Sequence, residues 1–173
     1  MNFMTYKLIY VCYANKGRSP AFEAYTRDFL SQRSVSGIEV ASAGVGLAKI
    51  EQLRREHHGL PSRLTRQILH GQGFDMDNHQ INFLGDIVHG SNLILAVDQH
   101  TLDMVNDNFE DYSDRAMLVG DYAGTKKYRE VHGPHHECRG KIRSEHDGYV
   151  QMIAEIRRIS RKVVKRLIRD RKK

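Results

Sequence analysis

A cysteine stands six positions before an arginine in the stretch Cys12-Tyr13-Ala14-Asn15-Lys16-Gly17-Arg18-Ser19. Sulfur is a nucleophile that can attack phosphorus, and a guanidinium is a planar fork whose donors match two phosphate oxygens, a match lysine cannot give. The run Lys7-Leu8-Ile9-Tyr10-Val11 before the cysteine reads as a short strand, and Pro20 suits the first turn of a helix, where its missing N–H costs nothing. The eight residues therefore join a strand to a helix. Consecutive N–H groups of a tight turn at a helix N-terminus form an anion nest, and the partial positive charge there favours a bound phosphate and a thiolate alike. Ser19 is placed to hydrogen-bond the sulfur when it must leave, and Asn15 is of a type tolerated in a left-handed turn. The other cysteine, Cys138, has Ser144 at the equivalent offset and no apolar strand before it. These residues assign Cys12 as nucleophile and residues Tyr13, Ala14, Asn15, Lys16, Gly17 and Arg18 as the phosphate cradle. The plain alternative is a buried structural cysteine ending a strand near a surface arginine.

The elements that must position this loop follow from the hydrophobic pattern. Strands are expected near 7–12, 37–42, 92–98 and 115–119, and helices near 20–32, 62–72, 80–88, 99–106 and 148–170. Strands alternating with helices predict an α/β fold, an open four-stranded parallel sheet with helices on both faces, whose ligands bind at the carboxyl ends of the strands. Cys12, Ser42 and the loop after Leu118 would meet there. The charged stretch from Lys49 to Pro61 reads as a loop or a marginal helix. At 173 residues the chain can bury one core. Two cysteines far apart argue for a reducing compartment, hence a cytoplasmic protein, and the apolar run Leu8 to Val11 is too short for a signal peptide or a membrane span.

With these residues in view, the chain resembles the low-molecular-weight protein tyrosine phosphatases, whose signature is an N-terminal strand and a Cys-x-Gly-Asn-x-x-Arg-Ser-Pro loop. Glu39-Val40-Ala41-Ser42-Ala43-Gly44 is similar to the family's second strand and Ser-Ala-Gly turn. Gly73 to His79 resembles its Gly-x-x-x-x-x-His segment, Leu93 to Asp98 its third strand ending in Asp, and Leu118 to Tyr122 the strand entering its acid loop. The resemblance spans most of residues 7 to 170. It implies a single domain over 1–173, a phosphatase I-like three-layer sandwich with sheet order 2-1-3-4, and a loop stiffened by Asn15, Ser19, Ser42 and His79. It further implies hydrolysis of phosphate monoesters, above all phosphotyrosine in protein, through a cysteinyl-phosphate on Cys12, with no cofactor and no metal. Tyr13 and the region around Leu47 would wall the pocket, and the partner is a phosphorylated protein or a small phosphate monoester.

Three departures qualify the resemblance. Gly17 stands where the family usually has a second cysteine able to shelter the nucleophile in a disulfide, and Ala14 stands where it commonly has Gly. The family's general-acid Asp-Pro corresponds here to Gly133-Pro134. A phenolate of pKa about 10 leaves poorly unless protonated, and a positioned acid is worth ~10²–10⁴-fold. The inserted segment 130–147 offers His132, His135, His136, Glu137, Glu130 and Asp147 in its place, with His135 or His136 preferred because imidazole exchanges protons near neutral pH. The same departure supports an alternative, a phosphate- or phosphoprotein-binding module with impaired turnover. His132, His135, His136, Cys138 and His146 also suggest a metal cluster, but their spacing matches no zinc motif, and a solvated loop is the simpler reading.

The C-terminus carries a separate signal. Residues 157–173 hold ten Lys and Arg against Asp170 alone, so this segment carries +9 in a chain of net +6. Ile153, Ile156, Ile159, Val163, Val164, Leu167 and Ile168 recur at helical spacing, which predicts a helix near 148–171 with one face on the sheet and a basic face outward. That face is either simply solvated or a footing for an anionic partner. The stretch lacks aromatic residues for base stacking, which argues against nucleic acid.

Overall fold

The computed structural model describes residues 5–125, 129–135 and 143–171. Four parallel strands, β1 (Tyr6–Cys12), β2 (Ile38–Gly44), β3 (Leu93–Ala96) and β4 (Ala116–Leu118), form one sheet of order β2-β1-β3-β4. The helices are α1 (Arg18–Ser31), α2 (Leu47–Glu56), α3 (Arg63–His70), α4 (Leu84–Ile87), α5 (Gln99–Asn108), α6 (Val119–Tyr122) and α7 (Glu145–Asp170), with a 3-10 turn at Glu110–Arg115. The expected sheet and its order are thus observed.

β1 lies between β2 and β3 and is buried on both faces, which is why Leu8 to Val11 read as an unbroken apolar run rather than an alternation. Leu8, Tyr10 and Cys12 face α1 and α7, where they pack with Phe22, Tyr25, Met152, Ile156 and Val163. Ile9 and Val11 face the opposite layer with Leu84, Val88 and Val105. Tyr10 stacks on Phe22 with ring centroids 4.9 Å apart, and its hydroxyl shares a 2.8 Å hydrogen bond with Thr26, which satisfies the one polar atom this ring takes into the core. α7 is capped by Ser144, whose side chain accepts from the Asp147 amide at 3.2 Å, and carries Glu145 and Asp147 in its first turn, where the helix dipole favours them. It therefore begins three residues before the expected 148.

One open expectation is resolved and two others are corrected. The stretch read as a loop or marginal helix contains α2, which forms because Ile50 and Leu53 lie on one face and bury against Ile81. The helix expected over 80–88 shrinks to the single turn α4, because Asn82 and Phe83 run extended to bond Gly44. The fourth strand stops at Leu118, and the chain turns at once into α6. Among the described residues no helix is long and apolar enough to cross a membrane.

The register sets Cys12 opposite Gly44. A Cβ on Gly44 would lie 2.8 Å from Ile50 Cδ1 and 2.8 Å from the Tyr13 carbonyl oxygen, and the latter, being backbone, cannot swing away. Gly44→Ala is therefore expected to lower unfolding free energy by about 1–3 kcal/mol, measured by urea denaturation, and to displace the loop after Cys12.

Candidate active site

The loop between β1 and α1 is defined by where its backbone polar groups go. The carbonyls of Cys12, Tyr13 and Lys16 accept from the amides of Val45 at 3.1 Å, Gly46 at 2.8 Å and Ser62 at 2.8 Å. Among the described backbone hydrogen bonds outside helices and strands, none has an N–H of residues 13–17 as donor. The carbonyls are tied outward, and the amides are left to converge at the N-terminus of α1, where an anion is the natural acceptor. Asn15, at φ +50°, makes the left-handed turn this requires.

Asn15 is also the hub that holds the turn. It is fully buried, and its side-chain amide donates to Ser19 Oγ and Ser42 Oγ, both at 2.9 Å, while its Oδ1 accepts from the Asn82 amide at 2.9 Å. Both side-chain protons and the oxygen are used. Ser42 Oγ lies 3.4 Å from His79 Nε2. Burial pushes the His79 imidazole below its ordinary pKa, with the Arg27 charge adding to that and the Glu23 carboxylate opposing it.

Cys12 is a free thiol, buried at the loop's base, with its Sγ 3.0 Å from Ser19 Oγ. Ser19 Oγ also lies 3.2 Å from the Ala43 carbonyl oxygen. A hydroxyl has one proton, so Ser19 can direct it at Ala43 or turn it to the sulfur as charge builds there. Arg18 Nη1 donates to Asp98 Oδ2 and, at 3.0 Å, to the Val131 carbonyl. Anchoring through Nη1 leaves Nε and Nη2, the other edge of the fork, for two oxygens of a phosphoryl group. Burial would push the Asp98 carboxyl up, but Arg18 and the hydrogen bonds from Thr101 outweigh it and hold the carboxyl below the usual range. Its other oxygen caps α5 by accepting from the Thr101 amide at 2.8 Å.

Around the loop, Lys16 is exposed, and Tyr13 and Leu47 are 41% and 44% exposed, unusual for large apolar side chains. The Tyr13 ring lies over Gly46, where an added Cβ would come within 2.8 Å of it, and tilts against His100 with centroids 6.1 Å apart. Gly17 caps α1 next to Thr65, Tyr149 and Met152.

The structure thus gathers Cys12, Asn15, Ser19, Ser42 and His79 into one network and sets Arg18 beside it. His135 is exposed, with Nε2 3.7 Å from Glu145 Oε1, and no described hydrogen bond or ion pair joins it to the loop. Glu130 accepts from the Gln99 amide at 3.3 Å, and Gly133 and Pro134 are half-buried. His136, Glu137 and Cys138 lie outside the described residues. Among the described residues no cluster of His, Cys, Asp or Glu suits a metal ion. Sequence reasoning missed Asp98, Asn82 and the Val131 carbonyl as parts of the site. Only Asp98 carried a signal, as an acid at the carboxyl end of a strand.

The sequence matches the family described as low molecular weight phosphotyrosine protein phosphatase over residues 7–173, and the chain belongs to that family. It is accordingly a phosphatase, a hydrolase of the cysteine-dependent kind. Solved structures with the same fold include a low molecular weight protein tyrosine phosphatase from Bacillus subtilis, 23% identical with TM-score 0.75, covering 95% of this chain and 99% of that one. The YwlE arginine phosphatase of Geobacillus stearothermophilus is 20% identical with TM-score 0.73, covering 95% and 94%. A Drosophila arginine phosphatase is 22% identical with TM-score 0.71, covering 96% and 98%. No curated protein sequence matches the chain.

Two outcomes follow. Asn15→Ala should lower both stability and kcat, because it removes a donor from the Ser19 and Ser42 hydroxyls, strands the Asn82 amide at about 1–3 kcal/mol and forces alanine into a left-handed turn. Asn15→Gly should recover the turn in thermal unfolding but not kcat, and full activity in the glycine variant would contradict the hub role. For pH, His79 binds its proton less readily folded than unfolded, so stability is complete above about 6.5 and falls as pH drops below it toward the lowered folded value. Tm followed from pH 8 to about 5 should decline in wild type and decline less in His79→Gln.

Proposed function

We propose that the protein is a tyrosine phosphatase acting on phosphoproteins. Cys12 Sγ attacks phosphorus in line with the ester oxygen. As the S–P bond forms and the P–O bond breaks, the tyrosine oxygen leaves with a proton. Arg18 and the loop amides from Tyr13 to Ser19 hold the three equatorial oxygens while charge redistributes over them. Water then attacks the phosphocysteine, releasing inorganic phosphate, and Ser19 stabilises the departing thiolate with its hydroxyl proton.

The observation that carries the choice of substrate is the rim. Exposed Tyr13 and Leu47 offer an aromatic and an aliphatic wall to a flat ring, and Lys16, exposed on the loop itself, would repel the cationic guanidinium of phosphoarginine while tolerating a neutral phenol ring. We assign the proton donor to the histidines that follow Gly133, His135 or His136. His135 lies within two residues of the Gly133-Pro134 turn, and Glu145 is positioned to pair with its charged form. Phosphotyrosine in an unknown protein is the substrate class this supports.

A second reading rests on Gly133 itself. With no carboxyl at the family's acid position, the loop would bind phosphorylated protein and turn it over poorly.

Steady-state hydrolysis of a phosphotyrosine peptide, a phosphoarginine peptide and p-nitrophenyl phosphate between about pH 5 and 8, with Cys12→Ser as the blank, separates these readings. The expected result is Cys12-dependent turnover with phosphotyrosine ahead of phosphoarginine by about tenfold or more, a gap that Lys16→Ala narrows. His135→Ala combined with His136→Ala should slow the phosphotyrosine peptide by ~10²-fold or more and the activated ester far less. Turnover confined to the activated ester in wild type would favour the binding module.

A further inference from the structure

On the α1 and α7 side of the sheet lies a cavity of about 1100 Å³. It follows α1 from Pro20 to Ser31, about 16 Å at 1.5 Å per residue, the length of about five residues of extended chain. α7 forms one wall and the segment 72–79 another. The cavity is an open groove lined by Ala24, Met76 and Ala154 among other residues and by four arginines, Arg27, Arg157, Arg158 and Arg161.

Two of these arginines, Arg27 and Arg161, have contacts that hold them in place. Arg27 donates twice to the Val40 carbonyl, at 3.0 and 2.7 Å, and pairs with Glu23 Oε1 at 2.7 Å. Arg161 lies over the Phe29 ring, 5.3 Å from its centroid. Three basic residues further toward the C-terminus are engaged by the fold or by their own acid: Arg166 donates to the Tyr122 carbonyl at 2.7 Å and covers its ring, Arg169 meets Asp170, and Arg171 donates to the Ser36 carbonyl. The tail's charge is therefore divided, and its N-terminal part converges with Arg27 of α1 on one concave surface.

The acids in the groove have local partners. Asp28 accepts from the Gln32 side chain at 2.7 Å, and Asp75 accepts from the Asp77 amide at 3.0 Å. Glu23 differs. It is 5% exposed and pairs with Arg27, while its second oxygen, Oε2, is buried without a hydrogen-bond donor, with His79 Nδ1 3.9 Å away.

We propose that this groove docks an extended acidic polypeptide segment, with its carboxylates on the arginines of α1 and α7 and its apolar side chains beside Ala24, Met76 and Ala154. A free phosphate is too small to reach arginines spread along a groove of this length, whereas an extended chain passes them all. A lipid surface needs a convex basic face, whereas these guanidiniums line a recess. Docking is independent of which ester Cys12 cleaves, so its failure leaves the catalytic reading intact.

The test is fluorescence anisotropy of a labelled octapeptide alternating acidic residues with leucine, titrated with the full chain at low salt and in excess inorganic phosphate to fill the Cys12 loop. Saturable one-to-one binding is expected, weakened about tenfold or more by Arg157→Gln with Arg161→Gln. Lys162→Gln with Lys165→Gln removes the same charge from α7 outside the groove and should change it by less than about twofold. Equal losses in both double variants would overturn the proposal in favour of a diffuse basic helix, as would binding abolished by phosphate. Vesicles containing phosphatidylserine that bind while the peptide does not would also overturn it. Should the arginine variants fail to fold, wild-type amide shifts decide: movement at Ala24, Gly73 and Ala154 supports the groove, and movement confined to residues 12–19 refutes it.

Discussion

The orientation of a few peptide groups is the constraint on which everything else depends. An anion nest exists only if successive amides point the same way, and that orientation is favoured here because the carbonyls of Cys12, Tyr13 and Lys16 are each taken by a neighbouring backbone amide. The amides that take them belong to Val45 and Gly46, just after β2, and to Ser62, which also caps α3. β2 and the start of α3 are therefore clamps on the loop as much as layers of the sandwich. The left-handed residue in the middle is Asn15, whose side chain bonds Ser19, Ser42 and the Asn82 amide, so one residue both permits the turn and locks it.

Charge is placed with the same economy. Asp98 caps α5 with one oxygen and anchors Arg18 with the other, so the guanidinium proposed to hold phosphate is fixed relative to the end of β3. The arrangement puts a carboxylate close to an anion site, yet its charge is matched by Arg18 and by helix-terminal amides, and the amides of residues 13–19 add further positive potential. On the far side of the network, His79 and Glu23 connect the loop's support to the arginine groove, so the two surfaces share buried polar groups while facing different parts of the molecule.

Much of this was legible in the sequence, and what was not has physical reasons. The central strand announced itself because burial on both faces demands an unbroken apolar run, and the Cys12 loop because its chemistry requires fixed residue types at fixed spacing. α2 was obscured because only Ile50 and Leu53 are buried among ten residues, too few to stand out against its charged neighbours. The helix expected around residue 84 was overestimated because Asn82 and Phe83 look compatible with a helix and are pulled straight by Gly44, a contact across nearly forty residues. Asp98 was visible as a strand-ending acid, but its pairing with Arg18, eighty positions away, is a property of the fold. Net charge located the basic tail without revealing that Arg166 and Arg171 are consumed internally while Arg157 and Arg161 face a groove.

The central claim is that Cys12 carries the phosphoryl group between substrate and water. The most direct test is rapid acid quench of the enzyme during turnover of a phosphotyrosine peptide, followed by mass spectrometry of the proteolytic fragment spanning residues 7–18. The account predicts phosphate on Cys12, rising and falling with turnover and absent from Cys12→Ser. Sustained hydrolysis with Cys12 unmodified throughout, or phosphate carried on another residue, would contradict it.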